Sequence, residues 1–261
     1  MSDPHIILTN DDGIEADGLR RLWNAIKELG ECTIVAPSEE KSASSMSYNF
    51  ANPIEYHSIQ WADGIEAWKV FGTPVDCVHL ALKAIVVKPP TLIISGINHG
   101  SNPGQGILFS GTVGAAIAGS IYGVPSLAFS LVSNELAPDA QHYIKTLTEH
   151  FIKLPPSSGT CINVNIPSPP VKGLRFARQG KGFWTGDLKV ISHSHERFSA
   201  TFSNNRISDH IEHPESDISL LSQGYVTITP IQTHNLTDNE SMEKHQIYFD
   251  SLIANLSTSK L

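Results

Sequence analysis

Short apolar runs alternate along the chain with stretches in which apolar residues recur every three or four positions, which predicts strands and helices in turn. Ile6 to Thr9 reads as a first buried strand. Leu19, Leu22, Trp23, Ile26 and Leu29 then recur at helical spacing, with Asp17 as the expected cap and Gly30 just past the end. CTIVA, Cys32 to Ala36, predicts a second buried strand ended by Pro37, and the small polar stretch Ser38 to Ser47 predicts a loop. Two strand-like runs follow within residues 54 to 71, the second being EAWKVF. Thr73, Pro74 and Asp76 form a helix start: a capping Thr, Pro at the first helical position and an acid three residues after the cap. That helix, expected to about Ala84, carries Val78, Leu82 and Ile85 on one face.

Pro89 and Pro90 break the pattern, and TLIIS, Thr91 to Ser95, predicts another buried strand. A Gly- and Asn-rich loop leads to Ser110, where a helix of small residues from Gly111 to Gly119 begins; small side chains let a helix lie close to a sheet. Val124 to Leu131 is a further strand, residues 138 to 153 an amphipathic helix, and Cys161 to Ile166, CINVNI, another strand. Such alternation predicts an α/β fold with a doubly wound, mainly parallel sheet. From about Gly180 to Pro214 the chain turns polar and His-rich, as expected of an arm or hairpin projecting from the core. Asp217 to Gln223 predicts a helical turn, Tyr225 to Thr229 a strand and Glu240 to Leu256 a terminal helix. The expected division is a core over residues 1–179 and a C-terminal extension over 180–261.

Composition narrows the function. No apolar run reaches the length of a bilayer span and no basic-then-apolar leader opens the chain, so neither anchor nor signal peptide is expected and the cytoplasm is the expected compartment. With 18 basic against 26 acidic residues and a formal charge of −8, the chain has no general field to gather duplex nucleic acid. Any phosphate must be held locally, by a metal or by backbone donors. Cys32, Cys77 and Cys161 lie far apart in apolar segments without CxxC spacing, the pattern of buried reduced thiols.

The candidate chemistry starts at Asp11 and Asp12, adjacent acids that close the first strand just before Gly13. Such residues also make ordinary turns, but paired carboxylates at a strand end repel, and a divalent cation is the simplest agent to hold both ionised. In open parallel sheets ligands gather beyond the carboxyl ends of the strands. Ser42 lies in the loop after the second strand and Asn98 follows the strand ending at Ser95, so three loops bring oxygen atoms to one edge. Carboxylate, hydroxyl and amide oxygens suit Mg²⁺ or Mn²⁺ better than zinc or copper. Ser110, Thr112 and the N–H of Gly111 stand beside them at a helix start, which favours an anion. A cation next to an anion-binding helix end is an arrangement for phosphoryl transfer, with Asp11 the choice to orient or deprotonate water.

Rival patterns fit less well. Neither a Walker loop nor a G-x-G-x-x-G turn is present, and Asn10 occupies the place where an Asp-x-Asp phosphatase carries its nucleophile. FSGTVG does not form G-x-S-x-G around Ser110, which weakens a serine hydrolase. A non-catalytic nucleotide- or metal-binding module stays open, because fold does not fix function. His193, His195, His210 and His213 are irregularly spaced in a polar arm and read as a solvated segment rather than a metal cluster.

The strings LTNDDGIEADGL, IVAPSEEKSASS, FGTPVDCV, SGINHGSNPG, FSGTVGAA and QGYVTITP, in this order, closely resemble the SurE family of survival-protein nucleotidases. The resemblance spans most of residues 5 to 130 and returns at 216 to 236. It implies a metal-dependent phosphomonoesterase acting on nucleoside 5′- and 3′-monophosphates, and in some members on short polyphosphate. It implies a Rossmann-like core, with the C-terminal extension exchanged between subunits of a homodimer or homotetramer, and one divalent ion per subunit. The family's metal ligands map onto Asp11, Asp12, Ser42 and Asn98, and its phosphate-side residues onto Asn102, Ser110, Gly111 and Thr112. The chain departs from the family at Gln105 to Phe109, where an acid and a Tyr are usual, at Ala118, and at Ser38-Glu39 in place of Asp-Arg. Residues 180 to 214 match poorly. These departures bear on base and chain-length preference and on oligomer contacts more than on metal binding.

Overall fold

The computed structural model describes residues 3–133, 140–194, 196–208 and 210–258. In chain order its elements are β1 (His5–Thr9), α1 (Asp17–Ile26), β2 (Glu31–Pro37), β3 (Tyr56–Gln60), β4 (Glu66–Val70), α2 (Pro74–Leu80), β5 (Leu92–His99), α3 (Gly111–Ile121) and β6 (Ser126–Leu131). They continue with α4 (Ala140–Lys153), β7 (Thr160–Ile166), β8 (Leu174–Phe176), β9 (Trp184–Ser192), β10 (Phe198–Ile207), α5 (Asp217–Ser222), β11 (Val226–Gln232) and α6 (Asn239–Thr258).

A nine-stranded sheet runs in the order β3-β4-β2-β1-β5-β6-β7-β11-β8. Its six inner strands from β4 to β7 are parallel, as expected, while β3 and β11 pair antiparallel to their inner neighbours. Residues beyond 179 thus return to the main sheet as β11. The edge strand β8, which pairs in parallel with β11, has no apolar run to announce it.

Alternation along β1 sends successive side chains to opposite faces. Ile6 and Leu8 pack with Leu19, Leu22, Trp23 and Ile26 of α1 and with Ile144, Leu147 and Phe151 of α4. Ile7 packs with Val75 and Val78 of α2 and with Ala115 and Ala118 of α3. Helices therefore cover both faces, the doubly wound arrangement, and each fully buried aliphatic side chain contributes about 1.5–3 kcal/mol. The small residues of α3 serve close approach: a Cβ on Gly119 would lie 2.3 Å from Ser126 Oγ and 2.9 Å from Ile93 Cδ1.

Local signals are confirmed at α2, where the Thr73 side chain accepts from the Asp76 N–H and Asp76 accepts from the Thr73 N–H. Two expectations are corrected. The N-cap of α1 is Ala16, without a side-chain bond, and Asp17 is the first helical residue, paired instead with Arg21 one turn on at 2.5 Å. β5 does not stop at Ser95 but runs to His99, through a register shift against β6 between Ser95 and Asn98. The expected arm is a separate two-stranded sheet of β9 and β10.

Candidate active site

From β1 the chain winds outward through β2 and β4, then crosses back to the other side of β1 as β5. The reversal of strand order between β1 and β5 opens a crevice beyond their carboxyl ends, where neighbouring loops diverge. Asp11 and Asp12 follow β1 directly into it. Asn10 is committed to the turn itself: its Nδ2 donates to the Gly13 carbonyl at 2.9 Å and its Oδ1 accepts the Gly13 N–H at 3.2 Å.

The loop after β2 is tied to this turn by two backbone bonds, Lys41 N–H to the Asp11 carbonyl and Ile14 N–H to the Pro37 carbonyl, both at 2.7 Å. Ser42, next in the chain to Lys41, is exposed, and its hydroxyl donates to Glu40 Oε1 at 2.6 Å. The residues around Ser44 are bent tightly, with Ala43 and Ser45 in the left-handed region at φ 58° and 52°. Ser45 reaches across to the segment before α3, its N–H donating to the Phe109 carbonyl at 3.1 Å and its Oγ to the Leu108 carbonyl at 2.6 Å. The Ser44 hydroxyl oxygen is buried and has no hydrogen-bond partner among the described residues. A Cβ on Gly111 would lie 2.5 Å from that oxygen and 3.0 Å from Asp11 Oδ2, so residue 111 must be Gly for the three to meet.

On the β5 side, Asn98 is half-buried and its Nδ2 donates to the Gly100 carbonyl at 2.6 Å. That bond fixes which end of the amide is nitrogen and leaves its oxygen as the possible ligand atom. The neighbouring His99 N–H donates to the Asp12 carboxylate, joining the ends of β1 and β5. Burial first, and the Asp11 charge second, push the Asp12 carboxyl up to about 6.

Asp11 is 3% exposed, and burial raises its pKa. Opposing that rise are the Thr112 hydroxyl, which donates to Oδ1, and the backbone N–H groups of Thr112 and Gly111. The start of α3 therefore donates to the Asp11 carboxylate through Gly111 and Thr112, the two residues expected on the phosphate side. The helix dipole and free N–H groups favour any negative charge placed there. Ser110 is the N-cap of α3, its Oγ accepting the Val113 N–H at 3.1 Å while its own proton is left to donate elsewhere.

Asn102 is 8% exposed and held from three sides. Its N–H donates to Asn165 Oδ1 at 2.7 Å, its Nδ2 to Ser130 Oγ at 2.9 Å, and its carbonyl accepts from Asn163 Nδ2 at 2.8 Å. Asn163 and Asn165 are additions to the expected site, although two asparagines alternating inside an apolar strand, CINVNI, are a signal for a buried polar contact on one face.

The structure thus brings together the loops of Asp11 and Asp12, Ser42, Asn98 and the start of α3, with Asn102 on the same crevice-edge segment. It does not gather the histidines of the arm: His193 Nε2 bonds Ser199 Oγ at 2.8 Å, His213 Nδ1 accepts the Glu215 N–H at 3.1 Å, and His210 lies beside the Phe183 ring. His195 falls outside the described residues.

The family model for survival protein SurE matches residues 6–186. The 5′-nucleotidase SurE of Protochlamydia amoebophila is 36% identical over 258 residues, covering 97% of this chain and 99% of its own. That of Chlorobium chlorochromatii is 37% identical over 237 residues, 87% of this chain and 85% of the relative. The crystal structure of the SurE protein from Aquifex aeolicus superposes with a TM-score of 0.79 at 30% identity, over 94% of this chain and 99% of that one.

Proposed function

The chain belongs to the SurE family, and from that premise we propose that it is a 5′-nucleotidase, a metal-dependent phosphomonoesterase that hydrolyses nucleoside 5′-monophosphates to nucleoside and phosphate. Nucleoside 3′-monophosphates and short polyphosphate are further substrates of the same reading. The supporting observation is the pair of adjacent carboxylates at the switch point, one buried against a helix N-terminus and one pushed up to about 6 by burial and its neighbour. Side chains that costly to ionise together fit a site built around a cation.

The donor set fits a hard divalent ion: the carboxylates of Asp11 and Asp12, the Ser42 hydroxyl and the Asn98 amide oxygen are all oxygen ligands. When bound, Mg²⁺ or Mn²⁺ supplies Lewis acidity toward phosphoryl oxygens and water. Asp11, which accepts from Thr112 and Gly111, is the group assigned in this reading to orient the attacking water and take its proton. Ser110 at the cap of α3 and Asn102 stand on the segment that faces the phosphoryl group, donating from the Ser110 O–H and the remaining Asn102 amide proton. The rival acyl-transfer role for Ser110 gains no support, since its Oγ is engaged as the cap of α3, accepting the Val113 N–H.

The test is phosphate release from AMP with EDTA or with Mn²⁺. Release only with the metal, abolished in a folded Asp11→Asn variant, is the expected result; no release in the presence of Mn²⁺ would end the nucleotidase reading, and full activity in the variant would remove Asp11 from it.

The assembly proposed is a homodimer or homotetramer built through the extension. β9 and β10 pair with each other and expose Leu188 at 59%, Val190 at 59%, Phe198 at 61% and Phe202 at 67%. A lone two-stranded hairpin is marginal in water and needs a further surface to pack on. Light scattering of the wild type and of Phe198→Ser/Phe202→Ser checks this, with a smaller species expected for the variant. Among the described residues no helix is long and apolar enough to cross a membrane. The free cysteines, of which Cys77 and Cys161 are buried, fit a reducing compartment, and the cytoplasm is the one proposed.

A further inference from the structure

Asp217 opens α5 and is fully buried, yet it lies 113 residues along the chain from the segment it holds. Its Oδ2 accepts the Gly104 N–H at 2.9 Å, while Oδ1 accepts the N–H groups of Gly180 and Ile218, each at 2.8 Å. Gly104 belongs to the segment that runs from Ser101 through Asn102 to Ser110. Three further bonds dock that segment onto the base of the arm: Gln105 N–H to the Gly182 carbonyl at 2.8 Å, Gln179 Nε2 to the Gly104 carbonyl at 3.1 Å, and Trp184 Nε1 to the Ser101 carbonyl at 2.9 Å. The joint is tight enough to require Gly at 104, where φ is +59° and a Cβ would lie 2.3 Å from the Gly182 carbonyl oxygen.

We propose that Asp217 is a positioning residue of the active site, acting through Gly104 to hold Asn102 and Ser110 in register with the phosphoryl group. The inference rests on the nucleotidase reading. Only a carboxylate accepts at both oxygens, and here all three partners are N–H donors. The clamp is one route, beside the Gln105–Gly182 and Trp184–Ser101 bonds, by which the C-terminal extension sets the geometry of a segment in the core. Asp217 itself bonds none of Asp11, Asp12, Ser42 and Asn98, and the clamped segment meets the Ser42 loop further along, where Ser45 bonds the Leu108 and Phe109 carbonyls, so the clamp governs turnover more than cation binding.

Asp217→Asn separates these roles. The Asn oxygen takes the position with two donors, which turns its NH₂ against the Gly104 N–H and releases that one bond. Trp184→Phe, at a residue 44% exposed, loosens the same segment at Ser101 and guards against failure of the first variant to fold. With AMP as substrate and Mn²⁺ affinity read by the EPR signal of the free ion, the expected result is a fall in kcat of roughly ten- to a hundredfold for Asp217→Asn. Trp184→Phe should show a smaller fall. Mn²⁺ affinity should stay within about twofold, since a positional loss need not touch uniform binding, and amide exchange across residues 101–109 should quicken. Wild-type kcat in both folded variants, Mn²⁺ affinity lost in step with kcat, or unchanged exchange across 101–109 would each overturn the positioning role alone. No phosphate release by the wild type would overturn the nucleotidase reading and this one with it.

Discussion

Replacing Asp12 by Asn tests the electrostatics of the crevice with a crossover in stability. The native carboxyl is pushed up to about 6, from an ordinary value of 3.8, by burial and by Asp11. Between those two values the folded protein holds a proton that the unfolded chain has shed, so without metal the Asp12 contribution falls as pH rises from 3.8 to about 6 and stays low above. The full shift converts to about 3 kcal/mol. Asp12 is only partly buried, and solvent screening reduces that to about 1–2 kcal/mol. Asn keeps an oxygen for the His99 N–H and carries no charge. In EDTA, Asp12→Asn should therefore be more stable than the wild type by about 1–2 kcal/mol at pH 7.5, and the gap should close toward pH 4. Saturating Mn²⁺ should reverse the order, because a ligand at 100 times its Kd adds about 2.7 kcal/mol to the wild type alone. Urea unfolding at both pH values, with EDTA and with Mn²⁺, measures all four states. A variant less stable than the wild type in EDTA at pH 7.5, or a Mn²⁺ gain equal in both proteins, would refute the account of a strained carboxylate pair relieved by a cation.

Two further substitutions probe its surroundings. Thr112→Val keeps the shape of a fully buried side chain but removes the hydroxyl that donates to Asp11. A buried hydrogen bond is worth about 1 kcal/mol or somewhat more, so the urea midpoint at pH 7.5 should drop accordingly, and an unchanged midpoint would show that the backbone donors suffice. Ala43→Gly relieves a left-handed residue at φ 58° beside Ser42, and should raise stability by up to about 1 kcal/mol after the extra freedom of Gly in the unfolded chain is counted. Calorimetry that finds a lower Tm would show that the bend is held by contacts that need the Ala43 methyl.

What could be read ahead of the fold was whatever is encoded by neighbours. The period of the apolar positions placed β1, α1 and β2, and Thr73 with Asp76 announced α2 because a capping box closes within one turn. Asp11-Asp12-Gly13 was legible as chemistry because adjacent acids after an apolar strand are locally unfavourable. Asp17 is not the cap of α1, and its residue type does not distinguish the two places, since an acid serves equally well in the first helical turn with an Arg one turn on. The end of β5 at His99 is not legible in the residues, because a register shift between strands leaves no mark on their order.

The sequence by itself determined the alternation of strands and helices, the doubly wound class, and the residues able to offer oxygen at one edge, because hydrophobic period and side-chain chemistry are properties of the chain before it folds. Tertiary structure alone decided where those groups point: that the start of α3 is spent on Asp11, that Asn163 and Asn165 hold Asn102, and that Asp217 clamps Gly104 across 113 residues. Contacts of that length depend on strand order and crossover, and the free energy that selects them is shared among many residues and belongs to no single motif.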